Sequence, residues 1–295
     1  MKYKKVISFS LWGDNPFYNV GAIRNVELAK EYFGGWICRF YIGTSTPKDT
    51  IEELKSHDNV EIIMMDSDEG WDGMYWRFYP INDEEVDIMI SRDVDCRLSN
   101  RDSHAVNEWL KSGKILHIMR DHPMHSEPIM GGMWGCRTKE LFENIIQEIY
   151  EPFPELPKPS HIKDCIRDWT EAEKIKTKMG GHNTLKLEQY NNHGIDQKFL
   201  RNVVYKTSYK EAWIHDSFPM YNSWSGRFDE QRPVGLKELN TGFPTMRIDW
   251  NDFIGQIYFE DETPNEESSE FLKQRDECIY MDYPKHDEEK NEKSN

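Results

Sequence analysis

The feature that most constrains this chain is a regular alternation of apolar segments and amphipathic segments. Apolar runs typical of strands lie at 5–11, 36–42, 60–65, 86–90 and 115–119. One helix is predicted between the loop at 13–16 and the pair Gly34-Gly35, and another at 49–56. Strands that alternate with helices form βαβ units, so we expect an α/β fold with a doubly wound, mainly parallel sheet flanked by helices.

Capping residues and prolines mark the later elements. Ser99, with Asp102 three residues further on, predicts the start of a helix that runs through Leu110. A strongly amphipathic helix is predicted over 138–149. The stretch 152–159 holds four prolines, which indicates a linker or the edge of a lid.

The composition is that of a globular protein. Hydrophobic residues make up 37% of the 295 residues, enough for a sizeable core. No apolar run approaches the roughly 20 residues that cross a bilayer, so no membrane span is expected. The start of the chain combines basic side chains with a short apolar run and lacks a cleavage-site pattern, which indicates a first strand rather than a signal peptide. We therefore expect a cytoplasmic protein.

The net charge of −16 argues against nonspecific binding of nucleic acid, which needs a basic surface. It leaves the binding of a nucleotide open, because a metal ion and a few arginines can neutralise one diphosphate. The cysteines at 38, 96, 136, 165 and 278 are odd in number and include no CxxC pair, so neither a disulfide framework nor a zinc site is indicated. Buried thiols are the preferred interpretation.

The charge is unevenly distributed along the chain. Residues 259–295 contain 13 acidic and 5 basic residues, a net charge of −8 and half of the total. We therefore expect a catalytic domain over 1–258 and an acidic, partly disordered tail over 259–295. The part beyond about Glu267 is expected to be dispensable for catalysis, unless it docks as a short helix through its apolar residues, which are Phe271, Leu272, Ile279 and Tyr280.

The most informative segment is Val86-Asp-Ile-Met-Ile-Ser-Arg-Asp-Val-Asp-Cys-Arg97. Asp93 and Asp95 follow a predicted buried strand and point to the same side of the chain if it stays extended. Open α/β sheets bind their ligands at this end of the strands. Two carboxylates there suit Mg²⁺ or Mn²⁺, which can neutralise the charge on a departing diphosphate. A solvated turn after a strand is the alternative interpretation.

The residues before this segment add a resemblance. The run Tyr75-x-Arg77-Phe-x-Pro80, followed by Asp93-x-Asp95, resembles the glycogenin-like retaining glycosyltransferases. This resemblance covers residues 5–220 and implies the glycosyltransferase-A (Rossmann-like) fold, with a mixed, mainly parallel sheet. It also implies that Arg77 reaches a nucleotide sugar and that the two aspartates hold the metal and the ribose.

Three later segments follow in the order of the same family. Gly131-Gly-Met-Trp-Gly135 corresponds to its acceptor-side strand, and Gly194-Ile-Asp-Gln-Lys-Phe-Leu200 resembles its donor-sugar element. Trp213-Ile-His-Asp216 lies where a late histidine completes the metal shell. The Asp-x-Asp, Arg-Asp-His-Pro and Gly-Gly-Met-Trp-Gly runs are also similar to those of glycosyltransferases encoded by large DNA viruses. The chain departs from the family after His215, where the lysine that grips the diphosphate is missing, and it lacks the usual asparagine before the acceptor-side glycine.

The resemblance implies a metal-dependent glycosyltransferase that moves a sugar from a nucleotide diphosphate sugar, with UDP favoured, to a glycan or glycoprotein acceptor. The implied cofactor is Mn²⁺ or Mg²⁺, held by Asp93, Asp95 and His215. A hydrogen-bonded core histidine is the alternative for His215. The implied donor-binding residues are Ser10, Leu11, Trp12, Arg77, Arg92, Asp93 and Gly132.

The resemblance further implies Asp196 and Gln197 as catalytic residues, and the position of Asp121 after a strand makes it a third candidate. Transfer is expected to retain the anomeric configuration of the donor, with Asp196 beside the sugar rather than acting as a general base. Asp121 is the competing candidate for a general base, because it follows the strand that ends at Met119.

Aromatic and histidine side chains near these segments have two interpretations each. Side chains that could stack on a base or a sugar ring are Trp12, Tyr18, Trp71 and Trp76, although core packing is preferred for each one alone. His122 and His125 have zinc-like spacing, but Pro123 breaks any helix between them and no third ligand follows at standard spacing. A loop that lines the sugar pocket is expected there instead.

Two other function classes compete with a transferase. Phosphatases can also begin from an apolar strand followed by Asp-x-Asp, but their motif lies on the first strand, whereas here it follows several βα units. A non-catalytic module that binds a sugar or nucleotide is the other alternative. Release of free nucleoside diphosphate from a nucleotide sugar separates the transferase from both, because a phosphatase releases inorganic phosphate and a binding module releases nothing.

Overall fold

The computed structural model describes residues 3–66, 73–125, 127–179, 194–218 and 240–282. The strands in this part of the chain are β1 Lys5–Leu11, β2 Ile37–Ile42, β3 Val60–Met64, β4 Ile88–Ser91, β5 Leu116–Arg120, β6 Trp134–Arg137, β7 Ala212–Asp216 and β8 Asn240–Thr241. The α-helices are α1 Pro16–Tyr32, α2 Lys48–Lys55, α3 Gly73–Trp76, α4 Asn100–Ser112, α5 Thr138–Ile149, α6 Ile162–Met179, α7 Ile195–Phe199, α8 Lys206–Ser208 and α9 Glu266–Asp282. A π-helical stretch, Leu200–Tyr205, continues α7.

Within the described residues these strands form one eight-stranded sheet in the order β3-β2-β1-β4-β6-β5-β7-β8. Only β6 is antiparallel to its neighbours, β4 and β5, and the remaining described pairs are parallel. The predicted α/β class, with a mixed, mainly parallel sheet flanked by helices, is confirmed. All strands except β6 therefore end at one edge of the sheet, and the segments that follow β1, β4 and β5 meet there.

Local capping explains where the helices at this edge begin. The side chain of Asn15 accepts a hydrogen bond from the backbone of Phe17, and Pro16 occupies the first turn of α1. Ser99 accepts from the backbone of Asp102 at the start of α4, as predicted from the sequence. Gly113 ends α4 in the left-handed conformation, with a φ of 72°.

The sheet separates two apolar layers. On one face, α1 and α4 pack through residues such as Val26 and Trp109 against β1 and β2. On the other face, α5, α6 and the α7 region pack against the opposite side of β1, β4 and β5, with the fully buried Trp134 of β6 among them. Strands β1, β4 and β5 are buried on both faces, which explains their nearly continuous apolar sequences, whereas the edge strand β3 is partly exposed.

The described residues 253–272 pack against the rest of the domain. Cys96 and Ile257 form an antiparallel bridge, as do Tyr258 and Pro264. Leu272 of α9 is fully buried against Phe218 and Phe253. The predicted boundary at 258 therefore falls inside a continuous set of contacts, and α9 docks as the apolar residues of the segment allow. Residues 283–295 lie outside the described part.

Two further predictions concern the proline-rich stretch and membrane spans. The proline-rich stretch at 152–159 contains turns and leads into α6, which the sequence patterns did not predict. None of the helices in the described ranges combines the length and apolar character needed to cross a membrane.

Candidate active site

A cleft of about 540 Å³ opens at the edge where the parallel strands end. Its lining comes from the ends of β1 and β4, from α1, from the α3 region and from α7. The lining residues are Ser10, Leu11, Trp12, Tyr18, Met74, Arg77, Asp93, Val94, Asp95 and Gln197. Motifs that are far apart in the sequence therefore share one cavity.

Asp93 and Asp95 lie in the segment directly after β4, as their spacing predicts. Oxygen atoms of both carboxylates and the Sγ atom of Cys96 all lie within 4.8 Å of one another. The Cys96 thiol lies 3.7 Å from Oδ1 of Asp95 and is placed to donate to it. Two carboxylates at this separation can share one divalent cation, so the donor set fits Mg²⁺ or Mn²⁺.

The electrostatics of this pair are consistent with a cation site. Burial, together with the negative charge of Asp93, raises the pKa of Asp95 to about 6. A carboxylate in that environment is destabilised by the loss of water and by its like-charged neighbour. A bound divalent cation would offset both effects by supplying the opposite charge.

Arg77 joins the aspartate pair to the α7 region. Its guanidinium is buried and forms ion pairs with Asp93 and with Asp196, the latter at 3.1 Å. The backbone N–H of Arg77 donates to the Ser10 hydroxyl at 3.0 Å, which attaches this residue to the end of β1. Burial alone would lower the pKa of Arg77, but the charges of Asp93 and Asp196 raise it, so the guanidinium stays charged.

Gln197 lines the cleft, and its neighbour Asp196 is buried behind the lining residues; both have polar atoms without partners among the described residues. Asp196 is fully buried, and its Oδ1 atom has no hydrogen-bond partner among the described residues, as is the case for Oε1 of Gln197. Burial raises the pKa of Asp196, although the charge of Arg77 opposes this effect. Buried polar atoms without partners are uncommon in proteins, and at the wall of a cleft they indicate that a ligand completes the hydrogen bonding.

Two glycines allow the backbone before β6 to approach this constellation closely. A Cβ atom at Gly131 would overlap the guanidinium of Arg77 and would lie 2.8 Å from Nε2 of Gln197. A Cβ atom at Gly132 would overlap the carboxylate of Asp93. The Gly-Gly pair therefore lets the backbone lie against Arg77 and Asp93, where a larger residue would displace their side chains.

Aromatic side chains flank the cleft at the end of β1 and on α1. Trp12 lies edge-to-face with Trp76 at 5.8 Å between ring centroids, and Trp76 itself is buried. Tyr18 is 39% exposed and lines the same cavity. Trp12 and Tyr18 are thus available to a flat ligand, whereas Trp76 packs in the interior. Trp71 lies outside the described residues.

Arg92 is a structural residue, contrary to its predicted contact with the donor. Its guanidinium is buried and donates to both carboxylate oxygens of Asp102 at 2.8 and 2.6 Å. A further N–H group donates to the carbonyl oxygen of Trp134 at 3.2 Å. These bonds use the planar fork of the side chain to connect the end of β4, α4 and β6.

Asp121 is likewise enclosed and does not line the cleft. Arg101 donates to both of its oxygens at 2.6 and 2.8 Å, and Arg247 and Ser217 donate to Oδ1 at 2.9 and 2.6 Å. Burial alone would raise the pKa of Asp121, but the hydrogen bonds from Arg101 and the charge of Arg247 lower it. A carboxylate that is inaccessible and held in its charged form by two arginines cannot take a proton from an acceptor, so the role of general base is not supported by this geometry.

His215 is placed away from the aspartate pair. Its Nδ1 atom lies 2.9 Å from Nε2 of His117, and its Nε2 atom lies 3.1 Å from a carboxylate oxygen of Glu108. Burial lowers the pKa of His215, with Glu108 opposing this only in part. Both ring nitrogens are engaged, which corresponds to the alternative of a hydrogen-bonded core histidine rather than to a metal ligand.

The His122–His125 loop also differs from its predicted position at a sugar pocket. The Nε2 atom of His122 lies 2.9 Å from the carbonyl oxygen of Ser268 in α9, and its ring lies 4.7 Å from that of Phe253. The His125 ring accepts from the backbone N–H of Asp121 at 3.1 Å. The loop therefore supports α9 and the turn at 251–256.

Cys96 is the neighbour of the cleft that sequence reasoning missed. The odd count of cysteines suggested buried thiols, and Cys38, Cys136 and Cys165 are indeed buried and free. Cys96 instead lies beside Asp93 and Asp95. Its position directly after Asp-x-Asp was the available signal.

Comparisons with known proteins yield distant structural likenesses only. No protein-family model matches the chain, and no curated protein matches it significantly. One similar solved structure is the mannosyltransferase PcManGT from Pyrobaculum calidifontis in complex with GDP-Man and Mn²⁺, with a TM-score of 0.38 and 10% identity over 49% of this chain and 47% of that one. The chain thus spans about half the length of that enzyme.

Two other structures are similar to a comparable degree. One is 4-diphosphocytidyl-2C-methyl-D-erythritolsynthase from Anaerococcus prevotii DSM 20548, with a TM-score of 0.35 and 11% identity over 52% of this chain and 78% of that one. The other is mouse xyloside xylosyltransferase 1 in its apo form, with a TM-score of 0.31 and 9% identity over 48% of this chain and 69% of that one. Likenesses of this degree do not identify a family.

Proposed function

We propose that this protein is a metal-dependent glycosyltransferase of the glycosyltransferase-A fold that transfers a sugar from a nucleotide diphosphate sugar. The observation that carries the proposal is the meeting of Asp93, Asp95 and Arg77 in one cleft at the carboxyl edge of the sheet, with Asp196 buried behind Arg77 and paired with it. These residues come from three separate parts of the sequence. A cluster of two carboxylates with a buried guanidinium and a third, buried carboxylate suits a ligand that carries both phosphate and hydroxyl groups.

Each residue has a definite task in this proposal. Asp93 and Asp95 hold the cation, which when bound would stabilise the negative charge of the leaving diphosphate. Arg77 keeps Asp93 oriented and offers positive charge on the side of Asp196. Gln197 lines the cleft, and its Oε1 atom, which has no partner among the described residues, accepts a hydrogen bond from a sugar hydroxyl and so orients the sugar. Asp196, buried next to it, holds Arg77 in place.

The donor and the stereochemistry are finer parts of the same proposal. Trp12 and Tyr18 supply aromatic faces for the base, and UDP is favoured by the family resemblance. Transfer proceeds with retention, and Asp196 stays beside the sugar. The enclosure of Asp121 by Arg101 and Arg247 supports retention, because it removes the competing candidate for a general base. The acceptor is a glycan or a glycoprotein.

The test is release of nucleoside diphosphate from a panel of UDP- and GDP-sugars, measured with Mn²⁺, with Mg²⁺ and with a chelator. We expect release that depends on the cation and is lost in Asp95→Ala, whose melting temperature without metal stays near that of the wild type. Proton NMR of the anomeric centre of the product then reports retention or inversion. Release of inorganic phosphate instead of nucleoside diphosphate would identify a phosphatase, and tight donor binding without turnover would identify the binding module.

A further inference from the structure

The segment that carries Asp95 has no regular secondary structure, but its backbone carbonyl groups accept hydrogen bonds from two side chains, Asn25 of α1 and Arg97 of the segment itself. We call residues 92–98 the metal loop. The carbonyl oxygens of Val94 and Cys96, on either side of Asp95, each accept hydrogen bonds from Asn25 of α1, at 3.3 and 2.8 Å. The same two carbonyls each accept from Nη1 of Arg97, at 3.2 and 3.1 Å. The position of Asp95 is therefore set by two side chains that do not touch the cleft.

Helix α1 approaches this loop as closely as its sequence permits. A Cβ atom at Gly21 would overlap the carbonyl oxygen of Val94 and would lie 2.8 Å from Nη1 of Arg97. The Asn25 side chain also accepts from the backbone N–H of Leu98 at 2.9 Å. Helix α1 therefore packs against one side of the metal loop, with no space left between the two backbones.

The opposite wall comes from the C-terminal residues 256–264, which we call the brace. The backbone N–H of Tyr258 donates to the carbonyl oxygen of Asp95 at 2.9 Å. Glu262 accepts from Nε and Nη2 of Arg97, the latter at 2.7 Å, and the Tyr258 ring lies 5.4 Å from the Arg97 guanidinium. The fork of Arg97 therefore binds the metal loop with one N–H group and the brace with the others.

Glu262 adopts an unusual backbone conformation in making this contact. Its φ of 64° is the only positive value for a non-glycine residue among the described positions. Such a conformation is unfavourable for a glutamate and persists where surrounding contacts maintain it. Here a turn maintains it, in which Glu262 donates its backbone N–H to Phe259 at 3.0 Å and Phe259 donates to Thr263 at 2.9 Å.

We propose that Arg97 and Glu262 are positioning residues that hold Asp95 in its metal-binding place, so that cation affinity depends on the brace. This inference rests on the proposed function, since it takes Asp93 and Asp95 as the cation site. It assigns the acidic C-terminal segment a function at the metal loop, 165 residues away from Glu262 along the chain. Neither residue contacts the cation or the donor in this scheme.

The test is a titration of the full-length protein with Mn²⁺ alone, followed by the EPR signal of the free ion. The variants are Arg97→Lys, which keeps the charge but loses the fork, and Glu262→Gln, which keeps the shape but loses the charge. Loss of a partner that orients a metal ligand weakens metal binding about 10-fold or more, and we expect this of Arg97→Lys and a smaller loss of Glu262→Gln. The double variant should bind no more weakly than Arg97→Lys, because both changes break the same connection.

The matched control is Asp58→Asn, which removes one carboxylate from an ion pair with Lys30 at 2.8 Å, away from the cleft. We expect it to leave the Mn²⁺ affinity unchanged. Melting temperatures without metal are recorded for all variants, and the EPR line shape of bound Mn²⁺ reports a changed coordination that loss of stability alone would not produce. Wild-type affinity and line shape in both Arg97→Lys and Glu262→Gln would overturn the inference. A wild-type protein that binds no Mn²⁺ would contradict the proposed function itself, and the inference with it.

Discussion

Two Arg-Asp dipeptides end neighbouring parts of the same sheet edge, and they behave in opposite ways. Arg92-Asp93 follows β4, and Arg120-Asp121 closes β5. The side chain of Asp93 is 37% exposed and belongs to a cleft, whereas that of Asp121 is fully buried. The same dipeptide after a strand therefore gives an open carboxylate in one place and a sealed carboxylate in the other.

The balance of charge around each carboxylate explains the difference. Asp121 faces two guanidinium groups, those of Arg101 and Arg247, so its charge is more than neutralised. Asp93 and Asp95 share one guanidinium, that of Arg77, which also pairs with Asp196. The open site thus keeps an excess of negative charge that a cation can match, while the sealed site has no such excess.

Asp121→Asn is the substitution that we expect to destabilise the protein most. It leaves Arg101 and Arg247 buried without a full counter-charge, so we expect a loss of about 3–5 kcal/mol in the free energy of unfolding. Asp95→Asn removes a repulsion and should be neutral or slightly stabilising without metal. Urea denaturation of both variants measures the difference. Asp121→Asn that is as stable as the wild type yet inactive would return Asp121 to the list of catalytic residues.

A second prediction concerns the helix that covers the sealed side. Leu272 of α9 is fully buried with Phe218 and Phe253, and α9 also contacts the His122 ring that follows Asp121. Leu272→Ala removes a buried side chain, which typically destabilises a protein by about 2–5 kcal/mol. The control is Leu156→Ala, because Leu156 is 48% exposed. Equal free energies of unfolding for the two variants would show that the segment beyond 267 does not contribute to stability, as its composition alone suggests.

Part of the fold and part of the candidate site could be predicted from the sequence. Strands β1 to β5, the α/β class and the meeting of Asp93, Asp95 and Arg77 were predictable, because periodicity is local and the family resemblance supplied the order of the motifs. Strands β7 and β8 were not predicted. The fate of Asp121 was not, because its partner Arg247 lies 126 residues away. Charge composition likewise describes 259–295 as a tail, while docking depends on single apolar residues such as Leu272.

The histidine prediction failed for the same reason. His215 occupies the expected place in the order of motifs, but its ring is engaged by Glu108 and His117, which come from α4 and β5. No local sequence pattern predicts a contact between residues that are 98 or 107 positions apart. Ligand roles carried over from motif order therefore need the three-dimensional neighbours before they can be assigned.

The third prediction tests how tightly the open site is packed. A Cβ atom at Gly132 would overlap the carboxylate of Asp93 and lie 3.0 Å from its backbone nitrogen. Gly132→Ala should therefore displace Asp93, weaken Mn²⁺ binding and lower the free energy of unfolding by about 1–3 kcal/mol. The matched control is Gly34→Ala, where a Cβ atom meets nothing within 4 Å. If both alanines leave Mn²⁺ affinity unchanged, the close approach at Gly132 has no part in the site.

The last prediction concerns the pH dependence of the free energy of unfolding, and it involves His117 in β5. His117 is fully buried beneath the ring of Trp109, and its Nδ1 atom has no partner among the described residues. Burial, followed by the neighbouring charges of His215 and Arg92, lowers the pKa of His117 well below its usual value. The folded protein therefore keeps this ring neutral at a pH where the unfolded chain takes up a proton.

The sign of the pH dependence follows from that difference. Above the unfolded pKa of about 6.5 the group has no effect, and below it stability falls with pH by up to about 1.4 kcal/mol per pH unit until the folded pKa is reached. We expect the free energy of unfolding, measured by urea denaturation, to fall between pH 7 and pH 5, and to fall less steeply in His117→Gln. The comparison of slopes is independent of any constant loss that the substitution causes. An identical slope in both proteins would mean that His117 takes up a proton in the folded protein as readily as in the unfolded chain. Burial would then not lower its pKa.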